Sequence, residues 1–230
     1  MVRFRLTLHG RIYLGTVVRA DPPLEQTRAM VQNDPLDRSN GYEAMASEFM
    51  ARRSLSIGLE TVREWAGGFA PHASILDLGC GHGRPISQLL VDRGFIVYGV
   101  DASPSLITAL RTQLPSVQVQ CASVEDSDFF GRTFDGAIAW GLMFLLSPDV
   151  QALLIRKVSR ALNAGGRFVF TAPSQTCEWS DSLTGRVSCS LGREAYRRIL
   201  LAEGLTLVGE GQDEGRNHYY LTTKEPTESV

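Results

Sequence analysis

Ser74-Ile75-Leu76-Asp77-Leu78-Gly79-Cys80-Gly81-His82-Gly83-Arg84-Pro85 is the stretch that decides the fold. A strand-like apolar run carries Asp77, and three alternating glycines then form a tight turn. Without a β-carbon, Gly79, Gly81 and Gly83 allow positive φ and close approach of a ligand to the backbone. A helix from Pro85 to Arg93 aims its free N–H groups back at the same place. A second apolar run, Phe95-Ile96-Val97-Tyr98-Gly99-Val100, then ends in Asp101. Strand, glycine turn, helix, strand and terminal acid make a nucleotide-binding half-site, in which the acid accepts hydrogen bonds from ribose hydroxyls.

The glycine spacing narrows the choice of nucleotide. A dinucleotide site reads G-x-G-x-x-G, with the pyrophosphate on the helix N-terminus. Here the third glycine comes one residue early, and Asp77 precedes the first. A carboxylate there repels phosphate and suits a ligand with a positive end. Both features disfavour an NAD-dependent oxidoreductase.

Outward from this unit, strand and helix patterns alternate. Helical stretches run from Asn40, where Tyr42, Met45, Ala46 and Phe49 share a face, and from Leu55 to Trp65, ending at Gly67-Gly68. Beyond Asp101, Ser103-Pro104 opens a helix to about Leu114, with Ser103 as its N-cap. Val117–Cys121 and Phe134–Trp140 read as strands. Asp149–Leu162 reads as a helix with Leu153, Leu154, Ile155 and Val158 inward, closed by Asn163-Ala164-Gly165-Gly166 in a left-handed turn. Arg167–Thr171 is the next strand. A helix over Arg193–Glu203 and strands near Leu205–Glu210 and His218–Thr222 complete the pattern. Nearly wholly apolar strands alternating with helices imply an α/β fold with a parallel sheet covered on both faces. The short link between the last two strands forces that pair antiparallel.

Composition excludes several classes. At 230 residues with 43% hydrophobic content, the chain has the material for one α/β domain with modest additions. A formal net charge of −2 argues against general affinity for nucleic acid, which needs clustered Lys and Arg. Cys80, Cys121, Cys177 and Cys189 are scattered without a C-x-x-C pair, so neither a metal site nor a disulfide framework is expected, and a reducing cytoplasm is the natural setting. No apolar run reaches the ~20 residues of a membrane helix. Residues 1–20 hold four arginines and no acid. This is compatible with a transit segment. The alternation of Val2, Phe4, Leu6 and Leu8 with Arg3, Arg5 and Thr7 favours a short strand, with a disordered leader as the other reading. Asp21-Pro22-Pro23 breaks the chain, and an exposed connector runs to about Asp37.

The run Asp77-Leu78-Gly79-Cys80-Gly81-His82-Gly83, with Asp101, resembles motifs I and II of class I S-adenosylmethionine-dependent methyltransferases, of the small-molecule type with a type 11/25-like domain. The resemblance covers Tyr42 to the end and is most specific from Ile75 to Asp101. It implies a three-layer Rossmann-like sandwich with a mostly parallel seven-stranded sheet and one antiparallel strand near an edge. It also implies a methyltransferase domain over 38–230 behind an extension at 1–37, flexible or a short strand. The implied cofactor is S-adenosylmethionine, and the implied activity is methyl transfer to a small-molecule acceptor. A protein or RNA acceptor, or a cofactor-binding module without catalysis, are the alternatives. No metal, nucleic acid or membrane partner is implied, and oligomeric state is left open.

The resemblance also assigns site residues. Asp77 matches the acid that orients the cofactor's amino-acid part. Gly79, Cys80, Gly81 and Gly83 match the turn beneath it, Asp101 matches the ribose acid, and Ala102 follows along the adenine edge. The acid after strand three falls at Ser123, a departure that leaves a hydroxyl or carbonyl to serve, with the Val124 N–H facing an adenine ring nitrogen and Glu125 or Asp126 as substitutes. Ala139, Trp140 and Gly141 match the place where cofactor and acceptor meet, although Trp140 reads equally as core. Phe144 and Leu145 replace a His pair found in many relatives, so no general base is visible there. Candidate acceptor and catalytic groups are Tyr42, on the covering helix, and Asp181, in the long loop Thr171–Asp181. Trp179 and Arg186 belong to the same region, which reads equally as a surface excursion. His218 is a candidate base or a half-buried strand residue. Cys177 has no placed His partner, and His82 reads as a variable linker.

Overall fold

The computed structural model describes residues 3–8, 11–16 and 37–225. Strands β1 (Arg3–Leu8) and β2 (Arg11–Thr16) pair antiparallel, with Arg3 opposite Thr16. Val2 and the connector around Asp21-Pro22-Pro23 lie outside the described residues. Turns over 38–45 lead into α1 (Ala46–Arg52), followed by α2 (Leu59–Ala66). The helix expected from Asn40 therefore begins only at Ala46. The Asp37 carboxylate takes the Ser39 N–H, the Ser39 hydroxyl and the Gly41 N–H. Asn40 and Gly41 sit at φ 53 and 85, in the left-handed region. Side-chain acceptors of this kind compete with the helix for backbone donors. Tyr42 thus lies in the turn before the helix.

The domain continues through β3 (Ser74–Leu78), α3 (Ile86–Asp92), β4 (Ile96–Asp101), α4 (Pro104–Gln113) and β5 (Gln118–Cys121). After these come β6 (Phe134–Ala139), α5 (Pro148–Ala161), β7 (Leu162–Thr171), β8 (Cys177–Ser180) and β9 (Val187–Ser190). Helix α6 (Arg193–Ala202), β10 (Leu205–Gln212) and β11 (His218–Lys224) end it. Seven strands form one sheet in the order β10-β11-β7-β6-β3-β4-β5. β3 runs parallel to β4 and β6, β4 to β5, and β6 to β7. β11 is antiparallel to both β7 and β10, so the one reversed strand lies next to an edge.

Successive residues of a strand face opposite sides of a sheet, and the core divides accordingly. Ile75, Val97, Ile138 and Val169 pack beneath α2, α3 and α4, with Val62, Trp65, Leu90 and Leu110. Leu76, Val100, Ala137 and Phe168 pack against α5 and α6, with Ile155, Val158, Tyr196 and Leu200. Burying each large aliphatic or aromatic side chain contributes roughly 1.5–3 kcal/mol, and these two layers hold the sheet from both faces.

Three details differ from the sequence reading. Leu153 is 36% exposed, and the inner face of α5 is Leu154, Ile155 and Val158 with the buried polar residues Gln151 and Ser159. Helix α5 passes into β7 directly. Leu162 pairs with Phe134, Gly165 turns left-handed, and the register shifts before Arg167 meets Gly136. The expected loop Thr171–Asp181 contains β8, which pairs antiparallel with β9 to make a hairpin standing off the sheet.

Candidate functional site

At the carboxyl ends of β3, β4 and β6 the backbone opens into a cleft, the usual ligand position in open α/β sheets. Its floor is the glycine turn. Gly79, Gly81 and Gly83 have φ 67, 55 and 85, and the Val100 carbonyl holds the turn by accepting from Gly79 N–H (2.8 Å) and Cys80 N–H (3.2 Å). Gly79 and Gly81 line the cleft. Gly83 does not: a Cβ there meets Leu114 and Leu110, so this glycine serves packing against α4 and not the ligand surface. Cys80 contributes backbone to the cleft, while its thiol turns inward over Gly99, where a Cβ would lie 2.8 Å from the sulfur.

Asp101, at the end of β4, lines the cleft and accepts from Gly81 N–H (2.9 Å) and Ser103 N–H (2.8 Å). Burial raises its pKa, and these two N–H groups pull it down. Ser103 caps α4 by accepting from Leu106 N–H. Asp77 sits one layer deeper, 2% exposed and outside the lining, with its Oδ2 accepting from the Ser87 hydroxyl at 2.6 Å. Burial pushes its carboxyl up to about 7, against the hydrogen bond from Ser87.

Ala102, Ser123, Val124 and Glu125 form the next wall. The Ser123 hydroxyl donates to Asp126 (2.9 Å) and accepts the Asp126 N–H (3.2 Å). Both groups named there as substitutes for the missing acid are thus engaged within the loop or by Arg38, which lies 3.5 Å from Glu125 and 3.9 Å from Asp126. On the far wall, Trp140, Gly141 and Leu142 face the cleft, and Trp140 also packs on Tyr219 with ring centroids 6.1 Å apart. Ala139 is fully buried and off the lining, because the strand alternation turns it into the α5 layer.

The roof comes from residues 37–43. Asp37 pairs with Arg186 at 2.7 Å, so Arg186 is occupied within the protein. Tyr42 lines the cleft and donates to Asp181 at 3.4 Å. Burial, reinforced by Asp181, raises the Tyr42 phenol far above its ordinary value. Asp181, 3% exposed, also accepts from Leu183 N–H, Thr184 N–H and the Thr184 hydroxyl, which makes it the organiser of the β8–β9 turn. At the other end Glu43 accepts from the hydroxyls of Ser103 and Ser105 and from Ser105 N–H. Trp179 packs on Phe144, 5.6 Å between centroids.

Two of the expected roles are corrected. His218 lies off the cleft lining, half-buried, with Nε2 3.5 Å from the Glu210 carboxylate. Burial and then Arg193 lower its pKa. It starts β11, edge-on to Tyr220 with ring centroids 4.7 Å apart. His82 is 5% exposed and packs edge-on to Phe49 at 5.9 Å, with its pKa lowered by burial to about 4. It is a neutral, buried piece of the turn and no linker.

Other site groups were not foreseen. Arg53 follows α1, lines the cleft and lies 5.6 Å over the Phe49 ring. Among the described residues it has no ion-pair partner. Burial lowers its pKa, opposed by Tyr42, Asp77 and Asp213. The four-residue spacing from Phe49 was the available signal, since such pairs share a helix face. The buried Asn40 Nδ2 also has no partner and Asn40 lines the same cleft. Glu214, from the β10–β11 turn, caps α2 by accepting from the N–H groups of Gly58, Glu60 and Thr61. No local pattern announces that contact.

Bare backbone beneath, the Asp101 carboxylate on the wall and donors without protein partners overhead are compatible with S-adenosylmethionine. Residues 75–166 match the family model described as methyltransferase domain. Over that stretch the chain is similar to a methyltransferase domain. An uncharacterised methyltransferase of Mycobacterium tuberculosis is 30% identical over 150 residues, 64% of this chain and 59% of the relative. The chain therefore spans less than two thirds of the curated relatives it matches there. The CcbJ methyltransferase of Streptomyces caelestis superposes with a TM-score of 0.65 at 19% identity, over 84% of this chain and 99% of that one. The 1,6-didemethyltoxoflavin-N1-methyltransferase of Burkholderia thailandensis superposes at 0.57 and 18% identity, over 90% and 93%. The chain thus has the Rossmann-like fold of these enzymes. Among the described residues no group of His, Cys, Asp and Glu could hold a metal ion, and no helix is long and apolar enough to cross a membrane.

Proposed function

We propose that this protein transfers a methyl group from S-adenosylmethionine to a small-molecule acceptor. The observation that carries the reading is a single cleft in which Gly79 and Gly81 give a bare floor, Asp101 stands at the β4 end, and residues 37–43 close the top. In this reading Asp101 accepts the ribose hydroxyls. Ala102, Ser123 and Val124 line the adenine, and Asp77 faces the amino-acid end from below the turn. Arg53 and Asn40 supply the donors that a carboxylate requires, since a charged guanidinium pairs well with it and a buried amide without a partner is costly. Trp140 and Tyr42 bound the place where the acceptor meets the methyl group.

The cofactor supplies an activated methyl on a cationic sulfur. The chain's task is to align the acceptor atom with it and keep water out, the contribution of proximity and orientation. Tyr42 keeps its proton at physiological pH and acts as a hydrogen-bond donor. With Tyr42 protonated and His218 off the cleft, the acceptor atom is one that is nucleophilic without a strong base, such as a neutral amine. The small-molecule reading draws on the closed roof and on the named substrate of the Burkholderia neighbour, 1,6-didemethyltoxoflavin. A cytoplasmic setting fits the four free cysteines.

The test is incubation with methyl-labelled S-adenosylmethionine and a cell extract split into filterable and macromolecular fractions. Label is expected in the filterable fraction. Label confined to protein or RNA would overturn the acceptor class. Failure of the protein to bind the cofactor at all would overturn the activity.

A further inference from the structure

We propose that Lys157 is a positioning residue that sets the hydrogen-bonding face which the cleft shows to the adenosine end of its ligand. This rests on the cofactor reading above. Lys157 lies on α5, outside the cleft lining, with its ammonium pointing into the loop between β5 and β6. The nitrogen donates to the carbonyls of Val124 (2.6 Å), Glu125 (2.8 Å) and Ser127 (2.7 Å). An ammonium has three hydrogens, so its donors are all spent on one loop. The same nitrogen lies 4.8 Å over the Phe129 ring.

The consequence follows from peptide geometry. In a trans peptide the carbonyl of one residue and the N–H of the next point in opposite directions. Drawing the Val124 carbonyl toward Lys157 turns the Glu125 N–H away from it. Val124 and Glu125 both line the cleft, and neither of their N–H groups donates to an acceptor among the described residues. The Ser123 hydroxyl, the other polar group here, is committed to Asp126. This wall therefore offers N–H donors to whatever purine edge meets it. Adenine presents ring-nitrogen acceptors there. Hypoxanthine carries a hydrogen at the corresponding nitrogen and meets donor with donor. Lys157 also stands among Glu125, Asp126 and Asp128, so its removal leaves three carbonyls and three carboxylates converging without that cation.

Calorimetric titration of the full chain with S-adenosylhomocysteine and with its inosine counterpart tests this. Wild-type protein should prefer the adenosine compound by roughly tenfold or more, the size of one well-made hydrogen bond gained and one clash avoided. Lys157→Met should lose roughly tenfold in affinity for the adenosine compound and much less for the inosine one, collapsing the preference. Lys157→Arg keeps the charge, but a planar fork cannot converge on three carbonyls. It should move in the same direction, and it serves as the test if the methionine variant does not fold. Folding of each variant is checked by thermal unfolding. A folded Lys157→Met protein with wild-type affinity and preference overturns the inference, and so does an arginine variant that restores both, because charge alone would then suffice. Wild-type protein that binds neither compound overturns the cofactor reading itself, and this inference with it.

Discussion

The floor and the roof of the cleft are built in different ways. The floor is local. Asp77, the glycine turn and Asp101 belong to one strand–helix–strand unit, and the Asp101 carboxylate reaches back only 20 positions to Gly81 N–H. The roof is assembled across the chain. Asp37 meets Arg186 across 149 positions, Tyr42 meets Asp181 across 139, and Glu43 meets Ser103 across 60. A ligand surface made by backbone geometry is written in consecutive residues. One closed by side-chain pairs is written in residues that share no neighbourhood in sequence. The floor should therefore govern how tightly the ligand is held, and the roof how quickly it leaves.

The largest effect should come from Asp101→Ala. That change removes the sugar's acceptor and strands the N–H groups of Gly81 and Ser103, a loss of about 3 kcal/mol, or roughly a hundredfold in affinity for S-adenosylhomocysteine by calorimetry. An affinity unchanged by this substitution would take the ligand off the floor altogether.

Next is the pH dependence of the floor. Burial holds the Asp77 carboxyl near 7 without ligand. A ligand cation above it favours the ionised form and so draws the pKa down. Affinity should be greatest above pH 7 and should weaken as pH falls through 7, by roughly tenfold per unit in the limiting range, with proton release on binding below 7. Asp77→Asn should flatten the profile. For the unliganded fold the sign is opposite. Asp77 favours the folded state fully below the ordinary carboxylate value of 3.8, and that contribution is lost as pH rises from there through 7.

The smallest effect belongs to the roof. Arg186→Met removes a partly buried ion pair, with 14% and 22% of the two side chains exposed. It should cost about 1 kcal/mol of stability and raise the cofactor dissociation rate several-fold in stopped-flow experiments, with a smaller change in equilibrium affinity. A roof variant that altered affinity as much as Asp101→Ala would erase the distinction between the two halves.

The same contrast explains what could be read in advance. The alternating apolar strands, the antiparallel final pair and the turn at Gly79–Gly81 follow from local pattern and backbone sterics. Gly83 and Ala139 were legible as positions of a motif, yet they face α4 and the α5 layer, because motif membership does not state which side of the backbone a ligand approaches. Tyr42 was expected on a helix. The Asp37 carboxylate diverts the donors that helix needed, and that competition is visible only once the turn is formed. His218 has the residue type of a base, but β11 aims it at Glu210. Glu214 and Lys157 escape a local reading because each acts on backbone atoms far away in sequence that carry no residue identity, whereas the signal for Arg53 was its four-residue spacing from Phe49.

The most direct test of the account is a crystal structure with S-adenosylhomocysteine. It should show the ribose hydroxyls within hydrogen-bond distance of Asp101, the backbone of Gly79 and Gly81 against the ligand, and its carboxylate met by Arg53. An empty cleft at saturating ligand, or a dinucleotide with its pyrophosphate seated on the Gly79–Gly81 turn, would contradict it.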